Sequence, residues 1–184
     1  MKFCLGVFLL VWAGVATADF KQGPYLGIGF GGSTDIGVDN FEGDRVNLKI
    51  AELIAGYKYN NIFSLEARTG ASLVEEPYAT GETDANGRAA FATLSFDRYY
   101  SLYYRAEVSN PVAKLYLLAG GSTVTLRNKF ADGRTLTSAS GQSFGVGAGL
   151  RVNSKTLFNI EYRAILATEL EDIKVLAFNV DYRL

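Results

Sequence analysis

From Tyr25 to the C-terminus, apolar and polar residues alternate with a period of two, the pattern of strands with one greasy and one polar face. The alternation falls into eight segments. In the first, Leu26, Ile28 and Phe30 share one face, and Tyr25, Gly27, Gly29 and Gly31 share the other. A row of glycines within a strand needs a reason, and a crowded interior receiving side chains from opposite strands supplies one. The third segment is the most regular, with Phe63, Leu65, Ala67, Ala71 and Leu73 against Ser64, Glu66, Arg68, Gly70 and Ser72. The fourth sets Tyr100, Leu102, Tyr104, Ala106 and Val108 against Ser101, Tyr103, Arg105 and Glu107; it begins as early as Ala90. The fifth sets Ala113, Leu115, Leu117 and Ala119 against Lys114, Tyr116 and Gly120, and the sixth sets Phe144, Val146, Ala148, Leu150 and Val152 against Ser143, Gly145, Gly147, Gly149 and Arg151. In the last two, Phe158, Ile160 and Tyr162 oppose Asn159, Glu161 and Arg163, and Phe178, Val180, Tyr182 and Leu184 oppose Ala177, Asn179, Asp181 and Arg183.

The second segment is less regular. Leu53, Ala55, Tyr57 and Tyr59 face one way and Glu52, Gly56 and Lys58 the other, but Val46, Leu48 and Ile50 reverse that phase. A β-bulge, or a stretch standing above a membrane, is the expected cause.

The connections have a rhythm. Asn60-Asn61, Ser109-Asn110-Pro111 and Asn153-Ser154 are short turns at one end of the segments. Polar, glycine-containing stretches at 32–45, 75–88 and 127–140, and a shorter acidic one at 167–172, read as long loops at the other. Asn86-Gly87 is a turn signal within the second of these. Short turns on one side and long loops on the other are the layout of outer-membrane barrels. The expected fold is therefore all-β: an eight-stranded antiparallel up-and-down transmembrane barrel.

Alternation alone does not say which face points outward, since a soluble barrel reverses the arrangement. Three features favour lipid outside. The apolar face stays free of charge for about ten residues per strand, the length that crosses a bilayer. Tyr57, Tyr59, Tyr100 and Tyr182 lie near strand ends, as interfacial girdles require. The other face mixes signs: Glu52, Glu66, Glu107, Glu161 and Asp181 with Arg68, Arg105, Lys114, Arg151, Arg163 and Arg183. Sealed in a narrow lumen, these residues form a structural charge network, because buried charges must pair.

The N-terminus carries a separate signal. Met1-Lys2 starts an apolar run that reaches Val15, and Ala16-Thr17-Ala18 is an A-x-A cleavage site. Residues 1–18 read as a cleavable signal peptide and 19–184 as the barrel domain, with the mature chain starting at Asp19. The run is short for a spanning helix. Cleavage removes Cys4 and Trp12, the only cysteine and the only tryptophan, so no disulfide or thiolate site is expected. The net charge of −1 offers no basic surface for nucleic acid. With His 0, the commonest general base and metal ligand is missing; no cofactor, metal or catalytic residue is expected.

Four stretches carry a family likeness: Pro24-Tyr25-Leu26-Gly27-Ile28-Gly29-Phe30-Gly31, Gly56-Tyr57-Lys58-Tyr59 before Phe63-Ser64-Leu65-Glu66-Ala67, Asn159-Ile160-Glu161-Tyr162-Arg163, and the closing alternation. In these the chain resembles the small eight-stranded outer-membrane proteins of the OmpA, OmpX and opacity type. The resemblance implies a non-enzymatic Gram-negative outer-membrane protein, with a structural or adhesion-type role through its long loops and an unidentified extracellular ligand on them. It also implies outer-membrane lipid as surroundings, and the barrel-assembly machinery as a partner of the C-terminal strand. Members usually end in phenylalanine, whereas this chain ends Tyr182-Arg183-Leu184. A narrow passive pore is the alternative, motivated by the excess of arginine and lysine among the inward charges. A soluble lipocalin-like carrier is a further one; the mature chain lacks the Gly-x-Trp of that family.

Overall fold

A computed structural model describes residues 22–35, 47–83, 89–130, 133–167 and 173–184. The expected signal peptide with its cleavage residues Ala16 and Ala18, the expected mature start at Asp19, and the turn signal Asn86-Gly87 lie outside the described residues. The strands are β1 (Gly23–Asp35), β2 (Lys49–Lys58), β3 (Phe63–Ser72), β4 (Glu76–Thr83), β5 (Ala89–Ser109), β6 (Ala113–Phe130), β7 (Gly133–Arg151), β8 (Thr156–Ala167) and β9 (Ile173–Arg183). Every neighbouring pair is antiparallel, and the order β3-β2-β1-β9-β8-β7-β6-β5-β4 closes through the β3–β5 pairing. β3 and β4 are two parts of one wall strand, broken at 73–75, and both pair with β5. The wall therefore counts eight strands. Closure is what a bilayer demands, since hydrocarbon offers no partner for a sheet edge.

The three turns at the closed end share one device. In each, the asparagine side-chain oxygen accepts from two backbone N–H groups: Asn60 from Ile62 and Phe63, Asn110 from Val112 and Ala113, Asn153 from Lys155 and Thr156. These are Asx turns, in which a short side chain replaces a missing backbone acceptor.

Alternation holds in three dimensions. On β5, Tyr100, Leu102, Tyr104 and Val108 are exposed while Ser101, Tyr103, Arg105 and Glu107 are buried. The apolar belt from Val108 to Tyr100 is eight residue steps, about 27 Å of strand or about 21 Å of height at a tilt near 40°. Tyr59, Phe63 and Tyr104 cluster at its turn-side rim, with ring centroids 5.3–6.4 Å apart. Tyr100 marks the opposite rim, and Arg98 follows it on the same face.

Two expectations are corrected here. The backbone of the second strand has no phase reversal: Leu48, Ile50, Glu52, Ile54 and Lys58 all point inward, and β1–β2 pairing runs without a bulge, so of the two expected causes the stretch above the membrane fits, with Lys49 outward beyond the belt. What changes along β2 is the lumen, which turns from ionic to apolar. The expected loops are also shorter. β1 extends to Asp35, β4 occupies most of 75–88, and β6 and β7 pair continuously from Ala113↔Leu150 to Phe130↔Gly133, across most of 127–140. Polar, glycine-bearing composition there reflects a sheet that leaves the bilayer and faces water, not an irregular chain.

Candidate functional site

The inward side chains form layers stacked along the barrel axis. Nearest the turns, Lys58 pairs with Glu107, and Lys114 Nζ lies 3.2 Å from Asp181 Oδ2. Asn159 donates to the same oxygen at 2.9 Å. Arg105 spans this layer and the next. Its Nη1 donates to Glu66 at 2.8 Å, Nε lies 3.5 Å from Glu107, and its guanidinium sits 3.7 Å over the Tyr116 ring.

At mid-depth Arg68 is the hub. It donates bidentately to Glu161 at 2.7 and 2.8 Å, to Glu66 at 2.6 Å and to Glu52 at 3.1 Å. Arg163 donates to Glu52 and to the Tyr99 hydroxyl, both at 2.8 Å, and its Nε lies 2.9 Å from Glu161. Tyr25 donates to Glu66 at 2.7 Å and Tyr116 to Glu161 at 2.9 Å. Each tyrosine stands directly across from a glycine, Tyr25↔Gly56 and Tyr116↔Gly147, and its ring lies where a Cβ would be. The glycines thus make room for the rings that carry hydroxyls to the carboxylates.

Above the ions comes a hydroxyl layer. Ser101 and Ser122 hydrogen-bond at 2.5 Å, and Tyr103 joins Ser122 at 3.2 Å and Ser143 at 2.6 Å. Above that, towards the loops, the lumen is apolar: Leu48, Ile50, Phe96, Val124, Ile165 and Ile173 belong to one buried cluster.

The residues of the expected network thus fall into two groups. Glu52, Glu66, Arg68, Arg105, Glu107, Lys114, Glu161, Arg163 and Asp181 are buried together in the lumen. Arg151 and Arg183 are half-buried and sit at the ends of β7 and β9, at the turn-side mouth. Lys58 joins the buried set; its place on the Glu52 face of the second strand was its signal. Among the described residues, the fully buried charges are five carboxylates and five cations. The expected inward excess of positive charge is therefore absent from the sealed lumen and confined to its mouth. Such balance is required, because each ion carries a desolvation penalty of several kcal/mol unless it is paired. The apolar layer escaped the sequence reading because Leu48 and Ile50 look like lipid-facing residues once their phase is misassigned.

Beyond the belt, the sheet formed by β4, β5, β6 and β7 rises past the rest of the wall. Its outer face carries Arg127, Lys129 and Arg134 together with exposed Phe91 and Leu136.

A closed eight-stranded wall, greasy outside and ionically paired inside, defines a membrane-spanning barrel of the outer-membrane class. The chain belongs to the family described as outer membrane protein beta-barrel domain, whose model matches residues 3–183. It is an outer-membrane protein of a Gram-negative bacterium, with lipid around its wall. No curated protein matches the chain. Among solved structures it is similar to Ail of Yersinia pestis, the attachment invasion locus protein, seen in complex with the heparin analogue sucrose octasulfate. That match has 16% identity and a TM-score of 0.62 over 90% of this chain and 100% of that one. Neisserial surface protein A follows with 12% identity and a TM-score of 0.61 over 88% and 97%. The N-terminal β-barrel domain of Pseudomonas aeruginosa OprF has 12% identity and a TM-score of 0.56 over 88% and 100%. At these identities the likeness is one of fold.

Proposed function

We propose that this chain is a non-enzymatic surface-interaction protein, exported by residues 1–18, whose working surface is the sheet and loops at the outer end. The filled lumen carries this reading. An ionic layer, a hydroxyl layer and an apolar layer stack in a barrel of a size that side chains can fill. With the axis blocked, the outer surface is left to meet a partner. Cations beside exposed aromatic and aliphatic side chains, as at Arg127, Lys129, Arg134, Phe91 and Leu136, suit a protein interface. Ail, named for attachment and invasion, supports an adhesive role by analogy.

The non-enzymatic reading rests on chemistry. The sequence has no histidine, and in the hydroxyl layer Ser101 bonds to Ser122 while Ser122 and Ser143 bond to Tyr103. Purified protein is expected to leave phospholipid and lipid A unhydrolysed. Insertion is proposed to proceed through recognition of β9 by the barrel-assembly machinery.

A narrow pore is the competing reading, favoured by the half-buried Arg151 and Arg183 at the mouth. Single-channel recording in planar bilayers separates the two. No stable openings are expected; large, long-lived, anion-preferring openings would overturn the plugged reading.

A further inference from the structure

The lipid-facing wall is uneven. Most outward positions hold Leu, Ile, Val, Phe or Tyr, but β2 and β3 present Ala51, Ala55, Ala67, Thr69 and Ala71. The register stacks these small residues, with Ala55 across from Ala67 and Ala51 across from Ala71. Large side chains flank them: Leu26 and Ile28 on β1, Tyr100 and Leu102 on β5. The outcome is an apolar groove of about 840 Å³ within the belt, floored by Ala55, Ala67 and Thr69 and walled by Leu26, Leu53 and Tyr100.

Two cations stand beyond the loop-side end of this groove. Lys49, exposed, is the next outward residue beyond Ala51 on β2. Arg98, its side chain 61% exposed, is the next beyond Tyr100 on β5. Arg98 lies 3.3 Å from Asp97, but Asp97 also pairs with Arg127, so one carboxylate serves two guanidiniums and the local charge stays positive.

We propose that the groove holds an acyl chain of a phosphorylated glycolipid of the outer leaflet, lipid A, with a phosphate between Lys49 and Arg98. The groove lies at hydrocarbon depth, so its occupant there is a hydrocarbon. By strand register Arg98 stands one row and Lys49 two rows above the Tyr100 rim, where headgroups begin and anionic lipid attracts basic side chains. A second copy of the chain fits this face worse. Both copies insert in the same direction, so their two-fold axis runs along the membrane normal. Lys49 and Arg98 of one copy then meet the same residues of the other at equal height, and like charges repel.

The test is a lipid A titration of the full mature barrel in detergent, read by native mass spectrometry. Heat-modified gel mobility confirms that each variant is folded. Replacing both cations, K49Q with R98Q, is expected to weaken binding about thirtyfold. Filling the groove with A67L, which points to lipid and leaves the lumen intact, is expected to weaken it at least about tenfold. On the unaltered protein, lipid A stripped of phosphate is expected to bind as weakly as lipid A binds the double variant. The proposal is overturned by binding within twofold of the original in K49Q/R98Q, by indifference to phosphate, or by cross-linking of two copies through Thr69→Cys in place of lipid binding.

Discussion

At the residue scale, the barrel depends on buried ions and on the glycines that admit their partners. Arg68 is fully enclosed and serves Glu52, Glu66 and Glu161. Arg68→Met leaves those carboxylates facing one another in a dry lumen and is expected to cost about 3–5 kcal/mol, the penalty of breaking a buried pair. Urea unfolding in lipid vesicles measures it, and a loss under about 1 kcal/mol contradicts the hub role. Gly56 and Gly147 do a quieter job. A methyl group at either would collide with the ring of Tyr25 or Tyr116, so Gly56→Ala and Gly147→Ala are each expected to destabilise by about 1–3 kcal/mol. Pairing Gly56→Ala with Tyr25→Ala removes the clash, and the double variant should lose less than the two single changes combined. Additive losses would show that the ring and the glycine are not in contact.

At the element scale, strand identity was legible where one side of the wall is greasy and the other charged. Glu66 and Arg68 alternating with Leu65 and Ala67 leave one assignment open, and β3 adopts it. The signal fades where the lumen turns apolar and the outer face turns polar. Leu48 and Ile50 seal the lumen while Lys49 faces outward above the belt, which inverts the usual pattern and mimics a change of phase. The same cause hid the strands beyond the bilayer: outside it, β6 keeps Val124 and Leu126 inward and β7 keeps Ala139 inward, but both present threonine and serine outward, as a water-facing sheet does. Cys4 is the only cysteine, so in a chain produced from residue 19 single introduced cysteines can report on phase. Leu48→Cys and Ile50→Cys are expected to resist a charged thiol reagent, while Lys49→Cys reacts fast. Rapid labelling at 48 and 50 with protection at 49 would restore the bulge.

At the scale of the whole molecule, the division of labour follows from closure. A sealed wall satisfies the backbone, an apolar belt satisfies lipid, and a balanced set of buried charges fills the lumen. The sequence disclosed the belt, the mixed signs and the turn–loop polarity. It did not disclose the layering, because the height of a side chain in the barrel depends on how each strand is staggered against the next. The sequence also overstated the positive character of the interior, since the ends of the strands decide whether Arg151 and Arg183 reach the sealed part. Everything rests on which face meets hydrocarbon. Trp12 is the only tryptophan, so in a chain produced from residue 19 one introduced indole reports alone. Leu102→Trp and Tyr103→Trp, refolded into vesicles containing dibrominated lipid, test neighbouring positions on β5. Strong bromine quenching at 102 and little at 103 is the predicted result; quenching at 103 with an indole at 102 open to aqueous acrylamide would contradict the account.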